Sequence, residues 1–167
     1  LGTGMRLGEC FGLNWEDIDF ERKLIHVKHG TIKIGGKGPA QADLKTESSR
    51  RTIPMPEFVI AALNAYKNWQ KGYCSWHKLI YVDKGLVFTN WHGDIRSPAS
   101  FSYHDFKTVV AAAGLPSMVR FHDLRHTHAT WLLEAGVNVK VVSERLGHAS
   151  IRITLETYTH ALKTMQD

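Results

Sequence analysis

The sequence predicts an α+β fold, a mostly helical domain with a small three-stranded antiparallel sheet near the N-terminus. After residue 56, apolar residues recur at helical spacing between capping residues and glycines. Before residue 54, short stretches alternate apolar and polar residues, which is typical of strands. The 167 residues contain no internal repeat, and 43% of them are hydrophobic, which is enough for one ordinary domain with a core.

The predicted sheet follows a short helical pattern over residues 4–13. Its strands are expected at residues 24–28, 31–34 and 45–54. His29–Gly30 is predicted to be the turn between the first two, and residues 35–43, rich in glycine, a flexible tip. Prolines close the third strand, because proline cannot donate a backbone hydrogen bond to a neighbouring strand.

Helices account for most of the remaining chain, apart from a short extended segment at residues 86–89. Their predicted starts lie at residues that cap or open helices: Pro56, Ser97–Pro98, Asn138 and Ser150. One further helix carries His122 and Arg125 and stops at Gly136. Gly147 is predicted to end the helix that starts at Asn138.

The composition limits the possible partners and compartment. A net charge of +5 and a pI of 9.3 permit a polyanionic partner. Two cysteines are too few for a disulfide framework, and no apolar run is long enough to span a membrane. We therefore predict a cytoplasmic protein with no membrane partner. Because the chain begins at Leu1 and not at Met, it is also predicted to be a fragment of a longer protein.

Residues 121–158 hold the candidate chemistry. His122 and Arg125 are three residues apart and share one helix face. His148 follows a helix-ending glycine, and Tyr158 lies ten residues further on. Cationic and proton-sharing groups around a phenol suit a site that handles phosphate, whereas His126 and His128 are interpreted as structural.

Five segments carry a family resemblance, in the family's order and across nearly the whole chain: Thr3–Glu9, Leu44–Thr46 leading to Arg51–Pro54, His122–Thr130, Leu146–His148 and Tyr158–His160. Together they resemble the catalytic domain of the tyrosine recombinases, or phage integrases. The segment around Leu146–His148 is most similar to integrases of temperate phages and of integrative or conjugative elements.

The resemblance implies a DNA strand cleavage and rejoining activity in which Tyr158 attacks a phosphodiester and forms a 3′-phosphotyrosyl bond. Arg6 and Arg125 would clamp the non-bridging oxygens, and His148 would donate to them. His122 would accept the phenol proton, and Lys45 would protonate the leaving 5′ oxygen.

Further expectations concern neighbouring groups and partners. Glu9 would orient the arginines from behind, and the basic residues Lys37, Arg50 and Arg51 are candidate contacts to the DNA backbone. No metal and no cofactor are expected. The partners would be double-stranded DNA attachment sites and a directionality factor. Residues 1–167 would be a catalytic domain without the N-terminal core-binding domain, tetrameric on DNA when full-length but monomeric as a fragment.

Two other function classes are open to test. His122 and His126 have the i, i+4 spacing of two metal ligands on a helix, as in a zinc-dependent hydrolase. Arg125 beside them would repel a dication, and Tyr158 would have no role. A non-catalytic DNA-binding module could use the arginines for phosphate contacts but leaves the placement of Tyr158 unexplained.

Overall fold

The computed structural model describes residues 1–44, 46, 49–78 and 80–163, and only the backbone of residues 159–163. Within these residues the α-helices are α1 Leu7–Phe11, α2 Glu57–Trp76, α3 Pro98–Tyr103, α4 Asp105–Ala112, α5 Phe121–Glu134, α6 Val139–Leu146 and α7 Ile151–Lys163. The strands are β1 Ile18–Asp19, β2 Leu24–Val27, β3 His29–Ile34, β4 Gly38–Asp43 and β5 Arg51–Pro54. The predicted fold class is confirmed.

The strand pairing differs from the prediction. β2 lies between β1 and β5 in a three-stranded antiparallel sheet, whereas β3 pairs with β4 in a separate ribbon. The predicted turn at His29–Gly30 is therefore wrong, because both residues belong to β3. The predicted flexible tip is largely β4. Alternation specifies which face a side chain occupies but not which strand is the partner, so it could not distinguish the two arrangements.

The predicted helix starts at Pro56, Ser97, Asn138 and Ser150 match the structure, but one helix is divided and one predicted strand is not formed. Ser97 Oγ accepts from the Ser100 amide, and Asn138 Oδ1 accepts from the Lys140 amide. The helix that starts after Ser97 is divided at His104 into α3 and α4. The predicted strand at residues 86–89 forms only isolated bridges, at its first and last residues.

The turn after α6 determines the position of His148. Gly147 has φ +68°, in the left-handed region, and its amide bonds to carbonyls of the last helical turn. The next amide, that of His148, donates to the Ser143 carbonyl. This pair of bonds is a Schellman motif, which only a glycine at the left-handed position forms without strain. The motif fixes the direction in which His148 leaves the helix.

Two buried hydrophobic clusters hold the helices and the three-stranded sheet together. One joins the three-stranded sheet to α2 and contains Met5, close to the start of α1. The other joins α5, α6 and α7, and includes Leu146 and the ring of Tyr158. Burial of apolar surface is the main source of stability, so packing fixes the positions of Met5 before α1 and of Tyr158 in α7. In the described part of the chain, no helix combines the length and apolar character needed to cross a membrane.

Candidate active site

A pocket of about 390 Å³ lies where α5, α7, the turn after α6 and the start of α1 come together. Its lining residues come from sites far apart in sequence: Arg6, Thr46, Ser49, His122, Arg125, His126, Gly147, His148, Ala149, Ile153, Thr157 and Tyr158. Five of the six residues predicted to be catalytic are among them. The sixth, Lys45, lies outside the described residues.

Arg125 is the most buried charged group of the pocket, with 3% of its surface exposed. Its two terminal nitrogens donate to the carbonyls of Gly4, at 2.7 Å, and Leu146, at 2.6 Å. Burial, followed by the charge of Arg6, lowers the pKa of Arg125 to about 10, so the group stays charged at neutral pH. A guanidinium has five N–H donors, so donors remain for an anion in the pocket.

Gly4 explains how the N-terminal segment reaches Arg125. Its φ of +65° favours glycine, and a Cβ there would lie 2.6 Å from the His128 ring. His128 is buried and accepts a 3.0 Å hydrogen bond from Arg145 Nε. Burial and the charge of Arg145 lower the pKa of His128 to about 4, which keeps the ring neutral. His128 therefore packs behind the pocket, as the sequence predicts.

Arg6 lies at the pocket wall and is held by one carboxylate and one carbonyl. It donates to Glu9 Oε1 at 2.9 Å and to the Gly147 carbonyl at 3.2 Å. Glu9 is 4% exposed and also receives two hydrogen bonds from Arg51, at 2.7 and 3.0 Å. Burial alone would raise the pKa of Glu9, but the Arg51 and Arg6 contacts outweigh burial and hold it below its usual value. Glu9 is thus an ionised partner shared by two arginines.

The structure corrects one predicted DNA contact. Arg51 was expected at the DNA backbone, but its side chain is 6% exposed and is bonded to Glu9 and to the Arg145 carbonyl. Buried guanidiniums need such partners, and this one has them within the protein. Arg50 is exposed beside Asp43, and Lys37 is exposed at the β3–β4 turn. Their contacts with DNA stay predictions.

His148 is oriented by a residue that the sequence did not single out. Its Nδ1 lies 2.7 Å from the hydroxyl of Thr154, which is fully buried in α7. Burial and the charges of Arg125 and Arg6 lower the pKa of His148 to about 4, so the ring is neutral at pH 7. When Thr154 donates to Nδ1, the ring proton is on Nε2, and that nitrogen becomes a donor.

Tyr158 lies at a kink inside α7, where φ is −116° and ψ is 19°. Its ring is 5% exposed, and burial raises the pKa of the phenol although Arg125 opposes the shift. The hydroxyl lies 2.9 Å from Nδ1 of His126, not beside His122 as predicted. His122 lines the same pocket, with its ring centroid 4.7 Å from that of His126. His126, interpreted from the sequence as structural, therefore lines the pocket and contacts the phenol.

The charge and donors of the pocket fit an anion. Among the described side chains, the guanidiniums of Arg6 and Arg51 share the carboxylate of Glu9, and Arg125 donates to two carbonyls, so these groups leave net positive charge at the pocket. No three histidine, cysteine or acidic side chains of this part of the chain converge as metal ligands, so the arrangement does not favour the zinc hydrolase. A phenol beside fixed guanidiniums is the arrangement that a nucleophilic attack on a phosphodiester requires.

Fold and pocket together define a mostly helical domain with a positively charged pocket and a buried phenol. The Phage integrase family profile matches residues 1–165. The chain is 41% identical over 174 aligned residues to a XerC-like tyrosine recombinase of Caldanaerobacter subterraneus subsp. tengcongensis, covering 97% of this chain and 44% of that protein. It is 30% identical to the transposase from transposon Tn916 of Enterococcus faecalis, covering 96% of this chain and 40% of that protein. The chain belongs to the phage integrase family.

Solved structures agree with this assignment. The Tn1549 transposon integrase, in complex with transposon right end DNA, matches with a TM-score of 0.79 and 29% identity, over 99% of this chain and 54% of that one. XerA recombinase matches with a TM-score of 0.73 and 27% identity, over 98% of this chain and 52% of the other. The resemblance seen in the sequence is confirmed, and the chain spans about half the length of its relatives.

Proposed function

We propose that this chain is the catalytic domain, residues 1–167, of a site-specific DNA recombinase. It would cleave and rejoin strands through a 3′-phosphotyrosyl intermediate during integration or excision of a mobile element. One observation carries the proposal: Tyr158, Arg6, Arg125 and His148 line a single positively charged pocket of about 390 Å³. Membership of the phage integrase family supports the same activity.

The chemistry follows from the groups in the pocket. Tyr158 Oη attacks the phosphorus and the 5′ oxygen leaves, so the phosphodiester's energy is kept in the phosphotyrosyl bond. Arg6 and Arg125 bind the non-bridging oxygens, where negative charge accumulates, and their partners hold them in place before substrate arrives. His148 donates from Nε2 to the same oxygens. Lys45 is the candidate acid for the 5′ oxygen, on sequence grounds alone.

Supporting roles are assigned by contact. Glu9 orients Arg6, since it binds that side chain and is itself held by Arg51. His122 is proposed to contact the phosphate from the exposed side of the pocket; burial, then the neighbouring His126 and Arg125, lowers its pKa and favours the neutral ring. The exposed side chains of Lys37 and Arg50 are proposed to follow the DNA backbone.

Partners and assembly are part of the proposal. The substrate is double-stranded DNA at attachment sites, and the relatives' structures with DNA support this class of ligand. We propose a tetramer on DNA for the full-length protein, a directionality factor and a bacterial cytoplasmic location. Neither a metal nor a cofactor has a role in the scheme.

A nicked suicide substrate tests the proposal directly, because the short fragment that carries the new 5′-hydroxyl diffuses away and the covalent intermediate is trapped. The protein should form a covalent DNA adduct, and it should do so in excess chelator. Tyr158→Phe should abolish the adduct while leaving DNA affinity nearly unchanged. DNA binding without any adduct would favour the non-catalytic module instead, and adduct formation by Tyr158→Phe would remove the assigned nucleophile.

A further inference from the structure

The phenol of Tyr158 has a specific hydrogen-bond partner in the pocket. Nδ1 of His126 lies 2.9 Å from Tyr158 Oη, and both residues line the pocket wall. His126 is on α5, four residues after His122, so both rings project from one face of the helix. The packing of α5 against α7 brings only the later histidine to the phenol.

His122 is less well placed for the same task. Its ring meets that of His126 edge-on, at 4.7 Å between centroids, and in the described part of the chain it makes no hydrogen bond to Tyr158. It is also exposed, and it borders a second cavity beside α3 and α4. A group that accepts a proton in the transition state must come within hydrogen-bond reach of the donor oxygen, about 2.6–3.2 Å, or reach it through one water. His126 already lies at that distance, without a rearrangement.

We propose that His126, and not His122, is the catalytic residue that accepts the Tyr158 proton, an inference that rests on the proposed strand cleavage. In the neutral ring with its proton on Nε2, Nδ1 accepts from the phenol. As the Oη–P bond forms and the P–O5′ bond breaks, the phenol proton moves to Nδ1. The 5′ oxygen takes a proton from the general acid, for which Lys45 is the candidate.

Rejoining reverses these steps. The 5′-hydroxyl attacks the phosphotyrosine, its proton returns to the general acid, and the imidazolium of His126 protonates the departing Tyr158 oxygen. While it is charged, this imidazolium lies beside the bound phosphate. The negative charge of the phosphate offsets the positive charge of the nearby guanidiniums. Because burial raises the pKa of the phenol, a fixed acceptor is needed for the forward step.

The experiment replaces Tyr158 by a fluorinated tyrosine, whose phenol ionises at lower pH and depends less on a base. With ordinary tyrosine, His126→Gln should lower single-turnover cleavage about 100-fold or more, the range for loss of a general base. With fluorotyrosine at position 158, most of that loss should be recovered. Arg125→Lys should not be recovered, because its partner is phosphate and not the phenol. His92→Gln, an exposed histidine outside the pocket, is the matched control and should cleave normally.

Each other result overturns the inference. Normal cleavage by His126→Gln removes the role, and a defect that fluorotyrosine does not recover makes His126 a packing residue. Recovery of His122→Gln in place of His126→Gln transfers the role to His122. Should the His126 variant not fold, the ¹⁵N shift of Nδ1 is compared in the unaltered protein and in Tyr158→Phe. An unchanged shift would show that the bond is absent.

The proposed function and this inference fail differently. If the unaltered protein forms no DNA adduct, the strand-cleavage proposal is wrong and the histidine comparison has no basis. If it forms the adduct and His126→Gln forms it equally fast, only the inference fails.

Discussion

Replacement of Arg51 by methionine tests whether Glu9 and its arginines are a buried network. Arg51 and Glu9 are 6% and 4% exposed, and two hydrogen bonds join them. Removal of one partner from a buried ion pair costs about 3–5 kcal/mol, because the other charge is left buried without compensation. Because Arg6 still binds Glu9, the expected loss of unfolding free energy is near the lower end of that range. The hydrogen bonds from Arg51 to the Arg145 and Ser49 carbonyls are also lost, which increases the destabilisation.

The assay is urea unfolding of the purified chain, with thermal melting as a second measurement. A loss of about 3–4 kcal/mol corresponds to roughly 10 °C in melting temperature for a chain of this size. The matched control is Arg152→Met, which breaks an exposed pair with Glu156 on α7. That change should cost no more than about 0.5 kcal/mol. Equal effects of the two substitutions would contradict the buried network.

The pH dependence of the folding stability provides a second test of the Glu9 network. The pKa of Glu9 is lowered in the folded protein, so its stabilising contribution is present above the unfolded pKa and lost as pH falls through the folded one. In Arg51→Met the main lowering contact is absent and burial raises the pKa, so Glu9 takes up a proton at higher pH. The stability difference between the two proteins should therefore narrow as pH falls from 7 towards 4. A constant difference would refute the assignment to Glu9.

Three further predictions concern the pocket and its surroundings. Thr154→Val should slow single-turnover cleavage about 3–10-fold, the worth of one hydrogen bond, because Nδ1 of His148 loses its donor, whereas Thr154→Ser should be nearly unaffected. Gly4→Ala and Gly114→Ala impose similar backbone strain, because the two glycines have φ of +65° and +66°. Only the new methyl group of Gly4→Ala also meets the His128 ring, so the unfolding free energy of this variant should be ~1–3 kcal/mol lower than that of Gly114→Ala. DNA binding should weaken steeply with salt in a filter or anisotropy assay, and salt-insensitive binding would contradict phosphate contacts as its main source.

The sequence predicted the helices better than the sheet. Helix ends depend on local chemistry, so Asn138 and Gly147 could be placed from their neighbours alone. The pairing of β2 with β5 joins residues about 27 apart, and nothing in the alternation of either segment specifies it. In the ribbon between them, residues 31–34 were predicted as a strand, but His29–Gly30 were predicted as a turn and residues 35–43 as a flexible tip. Long-range pairing is decided by packing of the sheet on α2.

The predicted pocket residues came from spacing and from the family resemblance. Arg6, Arg125, His148 and Tyr158 were identified without knowledge of their positions in space, and they line one pocket. The sequence does not show which charged side chains are buried. Arg51 was therefore predicted to contact DNA, although its side chain is buried and paired with Glu9.

The sequence by itself determined the fold class, the family and the main charged and nucleophilic residues of the pocket, because caps, periodicity and motif spacing can be read along the chain. The tertiary structure alone decided which partner each polar group has. His126 and His122 are chemically alike and share a helix face, so only the packing of α7 against α5 selects the one that contacts Tyr158. Likewise Thr154 is an ordinary helical threonine until α7 brings it to His148. Hydrogen bonds act over about 3 Å, and those distances are set by contacts between elements far apart in the sequence.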